Sequence, residues 1–494
     1  MFDSPPLPYF YAPATCQPRS LKYVATPTMD GDGTHIQQLG AMIWDAEKTT
    51  KQNELLNTDQ PWLLPDANFQ RTEDGTVFKS APISKLLLLA VQKFSMRDPY
   101  GMGVEYEGGK PGWNDAMNGL VGMLGSGMPE AYELQLLLRY VERTVEKYGR
   151  DVEVPEELKN MVDKIMDALD VFEGTGFDDE GDVSIDLAVP DAHYKYWDSV
   201  ATAREEYRED VKFTFTGTTY TFQSSDLTSI LKRFIYHTDL GLDRAMKVSS
   251  LGDSDDGSSN VAPSYFSYEV TDYAETGNVD ANGHPYVQAL GFKVGVFPLF
   301  LEGPVRMMKT LPVDGKDEQM SVYSNVKSSG LYDSGLNAFT VSASLVGQSI
   351  DMGRMMAFSP GWLENQSIWT HMSYKFYLQL LRGKLYDVFF EELMGGGMLP
   401  FQVSEQLERS DSKSEPMLYS AAASAITNST FPRSALNLPL PGSPGLRSFP
   451  NGVFLLRSLL SLSRFQPARA GFPRPPVGFN GRVPKHLDFD VHRP

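Results

Sequence analysis

In the stretch GKPGWNDAMNGLVGMLGSG, residues 109–127, a single acid, Asp115, sits between an indole and a run of small and apolar residues. An apolar, aromatic neighbourhood penalises the charged form of a carboxyl and so keeps a proton available near neutral pH, which is what protonation of a leaving oxygen requires. Trp113 offers a flat face to a sugar ring, and Asn114 and Asn118 can donate and accept hydrogen bonds with hydroxyls. Gly112, Gly119 and Gly122 permit close backbone approach. Taken locally, the same residues also read as an ordinary Trp-Asn-Asp turn.

A second constellation lies in FSPGWLENQSIWTH, residues 358–371, which ends a loop and begins a helix. Glu364, Asn365 and His371 would gather near a helix N-terminus, a setting that favours an anion such as phosphate. The competing reading has Glu364 and Asn365 capping the helix and His371 as a core histidine.

The elements that must position these groups read as mainly helical. Phe78 to Ser95 is apolar enough for a buried helix that ends before the turn-rich DPYGMG. Pro129-Glu130 opens a helix with Leu134, Leu137, Val141 and Val145 on one face, and Pro155-Glu-Glu opens another lined by Leu158, Met161, Val162, Ile165 and Leu169. The pair reads as an αα-hairpin. Residues 177–226 read as an insertion, an acidic FDDEGD segment followed by a β-hairpin at Val211 to Phe222 around Gly217. Helical patterning returns at Leu227 to Val248, and one long helix is expected over Ile368 to Met394.

The domain reading is therefore a partly irregular lead-in over 1–60, a catalytic segment over 61–415, and a tail over 416–494. That tail holds nine Lys or Arg, two acids and twelve Pro, whereas the whole chain of 494 residues carries a net charge of −19. Rich in Pro, Ser and Arg without periodicity, it is expected to be disordered. The overall negative charge argues against nucleic acid as a partner, because phosphate neutralisation needs clustered cations. Its longest apolar runs, near Leu86 to Val91 and Val453 to Ser463, are too short to span a bilayer. One cysteine, Cys16, cannot form an internal disulfide, and the N-terminus lacks a secretory pattern, so a cytoplasmic setting is expected. The seven histidines show no metal-ligand spacing, and Asn278 to Gly283, which looks like a calcium loop, has Ala289 where a glutamate ligand belongs. No metal or organic cofactor is expected.

Three ordered stretches, DPYGMGVEYEGGKPGWNDAMNGLVGMLGSGMPEAYEL, FPLFLEGPVRMMK and FSPGWLENQSIWTHMSYKFYLQLL, resemble the catalytic domain of glycoside hydrolase family 94, the inverting β-glycoside phosphorylases. The likeness runs from about Thr76 to Arg409 and is nearest the cellobiose phosphorylase-like and 1,2-β-oligoglucan phosphorylase branch. It implies an (α/α)6 barrel with Asp115 as the general acid, and a phosphate site lined by Glu364, Asn365 and His371, with Arg306 added from the LEGPVR segment. The implied reaction is attack of inorganic phosphate, as co-substrate, on a β-linked glucose disaccharide or oligosaccharide to give α-D-glucose 1-phosphate. Phosphate takes the place of the water and base of an inverting hydrolase, so one catalytic acid suffices. Family members are often homodimers.

The chain departs from the family pattern at both ends and at Phe358. It starts after the N-terminal β-sandwich and after the barrel segment whose Arg-Asp element contacts the sugar; Arg97-Asp98 does not match that element. No Thr-Gly loop follows Arg409, and Phe358 stands where many relatives carry Tyr. The expected barrel is accordingly incomplete. Two rival functions stand beside phosphorolysis: a catalytically inactive, truncated paralogue that binds sugar, and an inverting glycoside hydrolase on the same barrel with Glu364 or Glu105 as base.

Overall fold

The computed structural model describes residues 69–106, 122–176, 186–251, 260–279, 285–348 and 355–395, together with Thr50, Val183 and short strands before residue 45. The lead-in is thus described only in part, and the 416–494 tail lies outside the described residues.

Helix predominates among the described residues. The helices are α1 (Pro82–Phe94), α2 (Met128–Tyr148), α3 (Glu156–Gly174), α4 (Asp191–Asp210), α5 (Ser224–Leu251), α6 (Glu302–Thr310), α7 (Lys316–Ser328), α8 (Thr370–Arg382) and α9 (Tyr386–Met394). The strands used below are β1 (Tyr23–Thr28), β2 (His35–Leu39), β3 (Val104–Tyr106), β4 (Gly122–Gly127), β5 (Val152–Pro155), β6 (Thr219–Phe222), β7 (Tyr265–Val279) and β8 (Pro285–Val296). No helix among the described residues is long and apolar enough to cross a membrane.

Helix starts follow the local chemistry. Pro82 and Pro129 occupy first-turn positions of α1 and α2, where a missing N–H has no helical partner to lose, and α2 stops at Gly149 with φ +56°. Helix α1 is amphipathic rather than wholly buried: Ile83, Leu87, Ala90, Val91 and Phe94 face inward, while Leu89 is exposed. The expected αα-hairpin is corrected by the packing. Helix α2 lies chiefly against α5, and α3 against α4, because the strand β5 between α2 and α3 turns the chain aside to pair with β6.

The insertion at 177–226 also differs from its reading. Residues 191–210 form α4, whose His193, Trp197, Val200, Ala201, Arg204 and Tyr207 recur at helical spacing and are all buried. Val211 to Phe222 is not a hairpin: Thr214–Phe215 pairs in parallel with Arg71–Thr72, and β6 pairs antiparallel with β5. The segment alternates as strands do, but distant partners satisfy it.

One mixed-length antiparallel sheet, in the order β2-β1-β8-β7-β4-β3, is the largest departure from a purely helical layout. Its long pair, β7 and β8, was visible in the sequence only as a calcium-like loop; that loop lies between Val279 and Pro285, which are paired, and residues 280–284 are outside the described set. The expected helix over Ile368 to Met394 is broken into α8 and α9 by Gly383 and by Lys384, which takes a left-handed φ of +59°.

Four apolar clusters form among the described residues, the smallest of them Phe78 against Phe215. The main one joins α1, α2, α3 and α5 to the sheet, with Phe94 stacked on Phe234 at 4.1 Å. A second gathers Val305, Tyr323, Phe339, Phe376 and Leu380 around α6 to α9. The third, Tyr106, Tyr265, Phe297, Phe300, Val341, Leu345 and Met355, is smaller. Close packing of α5 on the Asp98–Gly103 turn has one strict requirement: a Cβ at Gly241 would overlap the Gly101 carbonyl oxygen. Gly241→Ala is expected to destabilise the fold by about 1–3 kcal/mol, despite its better helix propensity, and the shift of a urea midpoint would read it. An unchanged or raised midpoint would show that the turn gives way freely.

Candidate functional site

Asp115, Trp113, Asn114 and Asn118 lie outside the described residues, but the stem of their segment is described. In the β3/β4 ladder Val104 opposes Gly127, Glu105 opposes Ser126, and after an irregularity Tyr106 opposes Gly122, so residues 107–121 leave and rejoin the sheet at that rung. Strand alternation sends Glu105 and Tyr106 to opposite faces. Tyr106 donates from its hydroxyl to Glu130 Oε2 at 2.9 Å. Glu105 instead accepts from Trp197 Nε1 at 2.7 Å and pairs with Arg204 Nη1 at 3.3 Å, both in the interior. That engagement ties β3 to α4 through Glu105.

Arg97-Asp98 is structural as well. Asp98 accepts from the backbone N–H groups of Met102 (2.8 Å) and Gly103 (2.7 Å) and from Ser126 Oγ (2.6 Å), and burial nonetheless pushes its carboxyl above the usual range. Arg97 donates to the Gly101 carbonyl at 2.8 Å. The pair builds the turn beneath α5.

Arg306 lies one helical turn after Glu302 on α6. Its Nη2 is 3.1 Å from Glu302 Oε1, and its Nη1 is 2.7 Å from Glu133 Oε1 on α2. Lys309 meets the same Glu133 at 2.6 Å. Burial works against ionisation of Glu133, but Lys309 and Arg306 outweigh it and hold the carboxyl below its usual range. Tyr265, on β7, donates to Glu302 Oε2 at 3.2 Å. An anion arriving here would meet guanidinium and ammonium groups already shared with carboxylates.

Glu364 and Asn365 do not cap a helix. Helix α8 starts at Thr370, its N-cap Trp369 makes no side-chain cap, and the two residues sit in a turn well before it. Asn365 closes that turn, with Nδ2 donating to the Phe358 carbonyl at 2.7 Å and its own carbonyl accepting from Gly361 N–H at 2.7 Å. Among the described residues its Oδ1 is a buried acceptor with no partner, which suits a hydroxyl donor better than an anion. Leu363 and Gln366 take positive φ of 47° and 51°, an uncommon backbone for side chains of their kind.

The turn is tied to the rest of the site. Gln366 N–H donates to Ser342 Oγ at 2.9 Å, Val341 N–H donates to the Ser367 carbonyl at 2.7 Å, and Leu301 N–H donates to the Val341 carbonyl at 2.9 Å. Leu301 directly precedes Glu302, so the Glu364-Asn365 turn and the start of α6 are two backbone links apart. His371, exposed at the second position of α8, stands edge-on to Trp369 with ring centres 5.4 Å apart. Partial desolvation and then Lys375 push its imidazole below the usual range, while Glu302 pulls the other way.

Backbone bonds therefore link the start of the Arg306 helix to the segment that carries Glu364 and Asn365, and α8, which carries His371, packs on α6. The structure adds Glu130, Glu302, Tyr106 and Tyr265, which sequence reasoning did not select; the signals available were Glu130 in the first turn after Pro129 and Glu302 four residues before Arg306. A cavity of about 570 Å³ opens elsewhere, between α3 and α4, lined by residues such as Lys164, Phe172, Lys195 and Tyr196 and by none of the site residues. Among the described residues no group of three or more His, Cys, Asp or Glu is placed to hold a metal ion. Comparison with protein-family models and with curated proteins finds no match to this chain.

Proposed function

We propose that the chain is an inverting glycoside phosphorylase of the family-94 type, acting in the cytoplasm on a β-linked glucose disaccharide or oligosaccharide. The observation that supports this reading is the linkage just described: the Arg306 helix is tied to the Glu364–Ser367 segment through Leu301 and Val341, and Tyr106, at the stem of the Asp115 segment, lies beside Tyr265, which bonds Glu302 on that helix. In the proposed fold the described helices belong to an (α/α)6 barrel.

In the proposed reaction, a phosphate oxygen forms a bond to the anomeric carbon as the glycosidic C–O bond breaks. Asp115 transfers its proton to the departing oxygen, and the products are α-D-glucose 1-phosphate and a shortened sugar with a free hydroxyl. A proton from the entering hydrogen phosphate returns Asp115 to its acid form. His371 with a lowered pKa donates an N–H to phosphate in neutral form, and Arg306 supplies the charge. Asn365 Oδ1 is suited to accept from a sugar hydroxyl.

The deciding measurement is release of glucose 1-phosphate from cellobiose, laminaribiose and sophoro-oligosaccharides with and without inorganic phosphate. Release that requires phosphate supports the proposal. Phosphate-independent release of free glucose would assign a hydrolase instead, and a folded chain that releases neither would be a sugar-binding paralogue.

A further inference from the structure

Glu130 lies in the first turn of α2, where the helix dipole favours an acid, yet its carboxyl is turned back onto the hydroxyl of Tyr106. The meeting depends on Gly127, the residue before that helix. A Cβ there would stand 2.5 Å from Tyr106 Oη and 2.6 Å from Glu130 Oε2, so a side chain at 127 would push the phenol and the carboxyl apart. The Tyr106 ring centre is 6.5 Å from that of Tyr265, and Tyr265 donates to Glu302, which holds Arg306. The row Glu130, Tyr106, Tyr265, Glu302, Arg306 crosses α2, β3, β7 and α6 and runs beside the apolar Phe297, Phe300 and Val341.

Buried phenol–carboxylate pairs inside an apolar cluster add little net stability over well-packed apolar groups, but each phenol has its own acceptor and is held in one orientation. What the Tyr106 pair fixes here is the rung from which residues 107–121 depart. We infer that Glu130 is a positioning residue: by holding the Tyr106 hydroxyl it sets the Tyr106–Gly122 rung and the seat of the Tyr106 ring beside Tyr265. The consequence for turnover rests on the phosphorylase reading, whereas the brace itself does not.

Burial raises the Glu130 carboxyl above its usual range, the Tyr106 hydrogen bond opposes this, and Glu302 adds to the rise. Glutamine is accordingly the closest replacement, keeping an acceptor for Tyr106 without a charge. Leucine keeps the volume and leaves the buried Tyr106 hydroxyl without Glu130 as acceptor.

The test is hydrogen exchange of the full chain, comparing wild type, Glu130→Gln and Glu130→Leu in peptides covering 104–106 and 122–127, with α3 as the reference. The leucine variant is expected to exchange roughly tenfold faster in the β3/β4 peptides with α3 unchanged, as loss of one buried hydrogen bond implies, and the glutamine variant is expected to match wild type. Unchanged β3/β4 exchange in Glu130→Leu, loss of protection in α3 as well, or a glutamine variant as labile as the leucine one would each overturn the assignment. Where wild type shows phosphate-dependent release, Glu130→Leu should lower kcat while leaving KM for phosphate close to its starting value. Absence of that release alongside the expected exchange pattern would sink the phosphorylase reading and leave the brace in place.

Discussion

Arg204→Met is expected to lower the stability of the fold by about 3–5 kcal/mol, the usual result of stranding one charge of a buried pair. The Arg204 side chain is 0% exposed and that of Glu105 is 1% exposed, so no water reaches the pair to replace a missing partner. Arg204 also donates to the Ser95 carbonyl at 2.9 Å and pairs through Nε with Glu205 at 2.8 Å, which ties α4 to the end of α1 and to β3. Chemical denaturation would read the loss as a lower midpoint with an unchanged slope. The double variant Arg204→Met/Glu105→Leu should recover a large part of it, because the stranded carboxylate is then gone. If the double variant is as unstable as the single one, packing of the guanidinium and not its charge is what matters.

Asp115→Asn is expected to slow turnover of unactivated β-glucosides by about 10²–10⁴-fold, the range that general acid catalysis contributes. Asparagine matches aspartate in shape but carries no transferable proton, so sugar binding should change little. The diagnostic is the leaving group. With an aryl glucoside whose phenolate departs without protonation, the defect should shrink towards nothing, since the missing proton is no longer needed. Equal defects on both substrates, or a wild-type rate in the variant, would remove Asp115 from the role of acid. A phosphorylase reading would then lose its central residue.

The parts of this fold legible from sequence are those fixed by neighbours in the chain. Helices α2 and α3 follow from apolar residues three and four apart between proline starts and glycine stops, α5 follows from its helical patterning alone, and the structure places all three within a few residues of expectation. Pairing decided across long distances was not legible. Val211 to Phe222 looks like a hairpin locally, yet its two strands find partners at Arg71–Thr72 and at β5. Helix α4 was hidden by the acidic run before it, although Trp197, Ala201, Arg204 and Tyr207 already carried the helical period. The site divides the same way. Arg306 and His371 stand out by residue type and motif, whereas Glu130 and Glu302 become notable only when folding buries Tyr106 and Tyr265 between them. Glu105 shows the converse, an acid near the motif whose chemistry is spent on an interior arginine.

Strand β3 ends one side of the six-stranded sheet, and the end of a sheet is where another chain can add a strand and start aggregation. Here that opportunity is closed. The strand is three residues long and all three are buried, Arg97 bridges to Val104, and Trp197 and Arg204 cover Glu105 from α4. The arrangement that holds the stem of the Asp115 segment is thereby also a stopper against intermolecular strand addition, and variants that loosen α4 would expose a template for self-assembly at the very edge from which that segment springs.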